Sequence, residues 1–278
     1  GLCALAMIGF AANSLLARGA LSPPVIDAAS YTLVRLSSGA LMLAVLVGGS
    51  AARAHAPDGR SPRHGGWTGA VALAVYAAAF SYSYLRIGAA LGALLLFPTV
   101  KLALLLDGHR RGERPAQREW AGAALGLAGL VGLTAPGVAR PDLPGAALMV
   151  AAGLAWAVYT VAGQRVSAPI VATRDNFARA TVVALPMLVP ALAWGSATTR
   201  GVLLAAVSGA VTSALSYALW YRVVPRLTGM QLGLAQLAVP VLAALGATLL
   251  LGETITARLV AAATLIAAGV VVALPRQA

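Results

Sequence analysis

Apolar runs of 17–23 residues follow one another along this chain, separated by short polar connectors. A hydrocarbon layer about 30 Å thick is crossed by roughly 20 helical residues. That length predicts ten spans, over residues 1–17, 27–49, 66–86, 89–106, 118–135, 145–164, 172–194, 200–222, 229–251 and 257–274. The connectors carry turn chemistry, as in Ser22-Pro23-Pro24, Pro57-Asp58-Gly59, Pro136-Gly137 and Arg140-Pro141-Asp142, and none is long enough for a soluble domain. The runs show no alternation with a period of two, which argues against a β-barrel.

Composition supports the same reading. The chain is 60% hydrophobic and 10% charged, with mean hydropathy +0.85, whereas soluble domains are about 25% charged. The net charge of +12 does not point to nucleic acid, because the arginines are scattered between apolar runs rather than gathered on a basic face. Cys3 is a single cysteine, and His55, His64 and His109 fall in polar connectors without metal-ligand spacing. No metal or cofactor is expected. The apolar opening lacks a basic leader segment, so it reads as a spanning helix rather than a signal peptide.

The positive charges set an orientation. With the N-terminus inside, the inner connectors hold Arg53, Arg60, Arg63, Arg110, Arg111, Arg114, Arg118, Arg165, Arg174, Arg222, Arg226 and Arg276. The outer connectors hold only Arg18, Arg86, Arg140, Arg200 and Arg258. Both termini are therefore expected in the cytoplasm, in a bacterial-type inner (plasma) membrane.

The chain also repeats itself. GFAANSLLAR (9–18) returns as GLAWAVYTVAGQR (153–165), YTLVR (31–35) as DNFAR (175–179), LLLFP (94–98) as AQLAVP (235–240), and GERPAQR (112–118) as GETITAR (252–258). Five helices per half is an odd number, so the second half must be inverted. The expected fold is an all-α integral membrane protein of ten transmembrane helices, built as two inverted five-helix repeats over residues 1–138 and 139–278. Inverted repeats of this kind belong to alternating-access transporters with a site near the midplane.

With these features the sequence resembles the EamA family of the drug/metabolite transporter superfamily. The resemblance rests on the doubled layout, on the arginine inside the second helix of each half, and on Gly-Glu after the fourth helix of each half. ALSYALWYRVVPRL (214–227), QLAVPVLAALGATLLLGE (236–253) and the glycine-rich last helix also carry it. It covers essentially the whole chain and is strongest over 140–275. It implies an exporter of amino acids and related small metabolites. Lys101 departs from the family, whose members more often have a neutral polar residue there.

Several side chains stand out against the apolar background. Lys101 is the one lysine in the chain and lies inside LLLFPTVKLALLLDG (94–108). It either snorkels to the cytoplasmic face, faces a wet cavity and attracts a carboxylate, or pairs internally. Phe97, Pro98 and Lys101 share a face by 3–4 spacing. Pro98 and its repeat mate Pro240 are candidates for a helix break or gate. Arg35 and Arg179 lie deep in their spans, where an unpaired guanidinium is costly; Asp175 is one turn from Arg179, while Tyr31 holds that place for Arg35. These two arginines either tie helices together or touch substrate. Tyr76, Trp156, Tyr159, Tyr217 and Trp220 fall within spans, as helix packing or as cavity lining. The resemblance places Tyr76, Tyr217 and Trp220 on cavity-bordering helices. Asn13, Ser14, Gln231 and Gln236 are the neutral polar additions, of which Asn13, Ser14 and Gln236 complete the cavity set. Gly153, Gly209, Gly122, Gly126 and Gly129 read as close helix contacts, with Gly122-x-x-x-Gly126 as an alternative dimer face. The two Gly-Glu motifs read as helix punctuation, the acid favouring the N-terminus of the next helix.

The functional expectation is a secondary transporter that exports small metabolites, amino acids or other carboxylate-bearing solutes first. It has no nucleotide-binding Gly-x-x-x-x-Gly-Lys-Ser/Thr motif, and it is not expected to be an enzyme, since no nucleophile motif or metal-ligand set appears. Its expected partners are a small-molecule substrate and the lipid bilayer, with no nucleic acid, as a monomer or homodimer. The alternatives are an uptake permease or sugar/nucleotide carrier of the same fold, a channel or lipid translocator, and a membrane-embedded enzyme.

Overall fold

A computed structural model describes residues 1–22, 24–48, 66–112, 116–134, 142–163, 168–223 and 229–273. Within its helices the side chains of 221–223 and 229–238 lie outside the described set, and with them the predicted cavity residue Gln236 and also Gln231. Glu113, Arg165 and the proposed 138/139 boundary lie outside the described residues as well.

The described chain is helical throughout, with two isolated β-bridges as its only extended pairing. The helices are α1 (Leu2–Leu21), α2 (Ala28–Gly48), α3 (Trp67–Tyr84), α4 (Ala89–Arg110), α5 (Gln117–Thr134), α6 (Leu143–Gly163) and α7 (Pro169–Ala184), then α8 (Leu188–Trp194), α9 (Thr199–Val207), α10 (Ser216–Val223), α11 (Gly229–Leu251) and α12 (Ala257–Ala273). Among the described residues, six stretches are long and apolar enough to cross a membrane. The chain is a multi-pass membrane protein.

Three helix starts, those of α2, α6 and α9, are capped by short acidic or hydroxyl side chains. Asp27 Oδ1 accepts from Ser30 N at 2.8 Å, Asp142 Oδ1 from Gly145 N at 2.7 Å, and Thr198 Oγ1 from Gly201 N at 3.1 Å. Each satisfies an amide that the helix itself leaves open.

The seventh and eighth apolar runs are not simple α-helices. A 3₁₀ turn at Leu185–Met187, containing Pro186, separates α7 from α8. Proline lacks an N–H and clashes with the carbonyl four residues back, which disfavours an unbroken α-helix at this point. A π-helical segment, Ser208–Leu215, joins α9 to α10. By contrast, α4 and α11 run on through Pro98 and Pro240.

In the bundle α3 packs on α6, α2 on α7 and on the π segment, α1 on α10 and α11, α4 on α6 and α11, and α5 on α12. The Gly122/Gly126 face of α5 lies against α12: a Cβ on Gly269 would meet the Gly122 carbonyl oxygen at 2.5 Å and Gly126 N at 3.0 Å. A Cβ on Gly126 itself would meet nothing within 4 Å.

Close approach at Gly209 brings α2 and the π segment together. A Cβ there would land on the Arg35 carbonyl oxygen and Ser38 Oγ, while one on Gly39 would meet the Gly209 carbonyl oxygen at 3.2 Å and the Phe177 ring. Two small residues facing each other let the backbones touch, and this seam holds Arg35 in place.

Candidate functional site

Arg35 is 2% exposed. Its partners come from other helices. Nε donates to Ser213 Oγ of the π segment at 3.2 Å, and Nη2 donates to Tyr76 Oη of α3 at 3.3 Å. The guanidinium carbon stands 5.2 Å from the Tyr76 ring centroid and 4.8 Å from that of Phe80. Within about 6 Å a cation is drawn to the ring face, more strongly where water is excluded. Nη1 is buried without a hydrogen-bond partner. Nη1 thus keeps donor capacity while buried.

A continuous set of rings leads away from this charge, starting at Tyr76 and Phe80. Trp156 of α6 lies 4.8 Å from Tyr76, 5.2 Å from Tyr159 and 5.1 Å from Tyr217, centroid to centroid, the last pair stacked at 29°. Tyr217 of α10 in turn meets Phe10 of α1 at 5.7 Å and Phe177 of α7 at 6.0 Å. Phe10 also reaches Trp220 at 6.0 Å. Phe80 and Tyr84 continue the set up α3, edge to face at 4.6 Å. Offset and tilted ring pairs at such separations each add about 0.5–1.5 kcal/mol beyond area burial, so the rings form a stiff wall rather than a loose lining.

Polar groups adjoin the wall through the π segment. Asn13 Oδ1 accepts from Ser208 Oγ at 2.7 Å and from Thr212 Oγ1 at 3.3 Å. Ser14 is buried on α1, next to Asn13. The structure thus brings together Tyr76, Trp156, Tyr159, Tyr217 and Trp220, with Arg35 and Asn13 at the edge of the same cluster.

The other charged candidates stand elsewhere. Lys101 is exposed on α4. Arg179 is half-buried, its guanidinium carbon 5.8 Å from the Trp67 ring centroid. Asp175 Oδ1 accepts from Arg174 Nε at 2.9 Å and Nη2 at 2.7 Å. Among the described residues no group of His, Cys, Asp or Glu is arranged to hold a metal ion.

Sequence reading missed Phe10, Phe80, Phe177 and Ser213. Ser213 was within reach, because it lies one turn before Tyr217 on the same face. One turn back along its own helix Arg35 has Tyr31, whereas its hydrogen-bond partners come from α3 and the π segment. Glu253 also acts differently from its expected role. Its Oε1 accepts from Ala89 N at 2.9 Å and so caps α4, far away in sequence, rather than the α12 that follows it.

Three comparisons bear on identity. The profile of the EamA-like transporter family matches residues 143–274. The chain is 46% identical over 269 residues to the uncharacterized protein PA1977 of Pseudomonas aeruginosa, an alignment covering 97% of this chain and 92% of that one. A solved crystal structure shares the fold over 97% of this chain and 96% of its own, with a TM-score of 0.64 at 22% identity. On the whole-length relative, the family match and the fold together, this chain belongs to the EamA-like transporter family, membrane transporters of the drug/metabolite type.

Proposed function

We propose that this protein is a secondary transporter that exports small carboxylate-bearing metabolites, amino acids first among them, by alternating access. The observation that carries the reading is the Arg35 guanidinium, buried against aromatic rings with Nη1 lacking a hydrogen-bond partner. A charge in that place is expensive for a membrane protein to keep. A carboxylate makes charge-assisted hydrogen bonds to guanidinium N–H groups, often two in parallel. The rings of Tyr76, Trp156 and Tyr217 then supply the apolar surface for the rest of the solute. Asn13, Ser14, Tyr159, Trp220 and Gln236 complete the proposed cavity. Arg179 and Asp175 have a structural role in the second half, and Pro98 and Pro240 are the positions where α4 and α11 bend during transport.

The helix pairing supports ten spans in two inverted repeats, 1–138 and 139–278. Exchanging each first-half helix with its second-half counterpart turns the α3–α6 contact into the contact of α1 with α9 and α10. It turns α4–α6 into α1–α11, and returns α2–α7, α4–α11 and α5–α12 to themselves. The arginine bias supports cytoplasmic termini in an inner membrane. An uptake permease of the same fold is the second reading, since flux direction follows the gradient rather than the site.

The test is counterflow in proteoliposomes, comparing wild type with Arg35→Gln on labelled carboxylated solutes. The proposal expects saturable exchange in the wild type and at least a tenfold loss in the folded variant. Unchanged exchange in Arg35→Gln overturns it.

A further inference from the structure

One end of the bundle is stitched by a polar cluster that central substrate recognition does not use. Arg18, in the last turn of α1, donates from Nε to Glu253 Oε1 at 3.2 Å and from Nη1 to the Tyr84 carbonyl oxygen at 2.9 Å. The same Glu253 oxygen accepts from Ala89 N, the first residue of α4. One ion pair thereby joins the end of α1, the end of α3, the start of α4 and the link between α11 and α12. Gly88 is glycine where the carboxylate passes, since a Cβ there would lie 2.6 Å from Glu253 Oε2. Glu253 follows Gly252, whose φ of +66° turns the chain out of α11 and aims the acid across the bundle.

Both side chains of the pair are 21% exposed. A crevice of about 420 Å³, lined by Arg18, Glu253, Thr254, Thr256 and Arg258 among others, lies beside them. Water from that crevice can take over each hydrogen bond as it breaks, so parting the pair strands neither charge in a dry interior. A fully buried pair resists parting because each charge is left uncompensated. The hydrated position suits a contact that must open and close repeatedly.

We infer that Arg18–Glu253 is a gate latch: it holds α1 and α3 against α4 and the α11–α12 link, closing this end of the transport path, and parts when this end opens. The arginine bias makes this the extracytoplasmic end. The inference rests on the transporter reading, but its test does not need a substrate.

Ser14 reports the state of the path. It lies one turn before Arg18 on α1 and is 2% exposed. The experiment uses the full chain with Cys3→Ser and Ser14→Cys, reconstituted in phosphatidylethanolamine/phosphatidylglycerol liposomes. The rate of labelling by an impermeant charged thiol reagent is read with Glu253 and with Glu253→Gln. The glutamine keeps an oxygen for Ala89 N but removes the charge that holds Arg18. We expect labelling at least tenfold faster in Glu253→Gln, with Glu253→Asp between the two. Equal rates in correctly folded proteins, judged by monodisperse elution and unchanged helicity, overturn the latch. If Glu253→Gln does not fold, Arg18→Lys takes its place, since it keeps a charge but loses the fork that reaches Tyr84; a rate unchanged from Arg18 is then the refuting result. Because labelling is read with no solute present, a failure of carboxylate transport leaves this measurement intact.

Discussion

Gly209→Ala is the sharpest test of how the seam between α2 and the π segment places Arg35. The added Cβ falls inside contact distance of the Arg35 carbonyl oxygen and Ser38 Oγ. A carbon–oxygen contact relaxes only at about 3.3 Å or beyond, so the two backbones must part by on the order of 1 Å. A gap of that size forfeits about a quarter to a half of each dispersion contact along the seam. Overpacking of this kind costs about 1–3 kcal/mol. The Arg35–Ser213 hydrogen bond, already 3.2 Å long, does not survive the shift. We therefore expect a fall in stability of about 2 kcal/mol, together with a large loss of exchange. Thermal unfolding in detergent and proteoliposome counterflow read the two effects. Gly126→Ala is the control, since a Cβ there meets nothing within 4 Å, and its helix propensity favours alanine by up to ~1 kcal/mol. If Gly209→Ala is as stable and as active as Gly126→Ala, the reasoning about the seam is wrong.

Three further outcomes follow from the same geometry. Trp156→Ala removes a ring that touches Tyr76, Tyr159 and Tyr217 and is expected to cost about 3–5 kcal/mol, while Trp156→Phe keeps much of the stacking and should lose less than half of that in the same unfolding assay. Asn13→Ala takes the acceptor from Ser208, while Thr212 keeps the Ser208 carbonyl oxygen at 2.9 Å; at about 0.6 kcal/mol per interhelical hydrogen bond in a membrane, unfolding should register a loss of about 0.6 kcal/mol. Lys101→Gln alters an exposed position on α4, and counterflow should stay close to the wild-type rate, whereas a tenfold loss would put Lys101 on the transport path.

Much of this architecture was legible because span length and apolar content are local properties. The run predicted at 229–251 coincides with α11, and that at 66–86 brackets α3. The break at Pro186 was not fixed by proline alone, since α4 and α11 run on through Pro98 and Pro240. The π segment was not legible. No single residue demands it, and the packing of Gly209 on Arg35 is a contact between residues far apart in sequence. The same limit applies at the site. Arg35 stood out as a charge in an apolar run, but Ser213, Tyr76 and Phe80 reach it from two other parts of the chain. Glu253 shows the difference most plainly. A local rule assigned it to the helix that follows, and the fold carries it to α4.

The central claim is that the buried guanidinium selects solutes by their carboxylate. The most direct measurement is counterflow by the wild-type protein with matched pairs, an amino acid and the amine it becomes on losing its carboxyl group. The account predicts saturable exchange of the acid, at least tenfold faster than that of the amine. Equal or faster exchange of the amine, or no saturable exchange of any carboxylated solute, would contradict it.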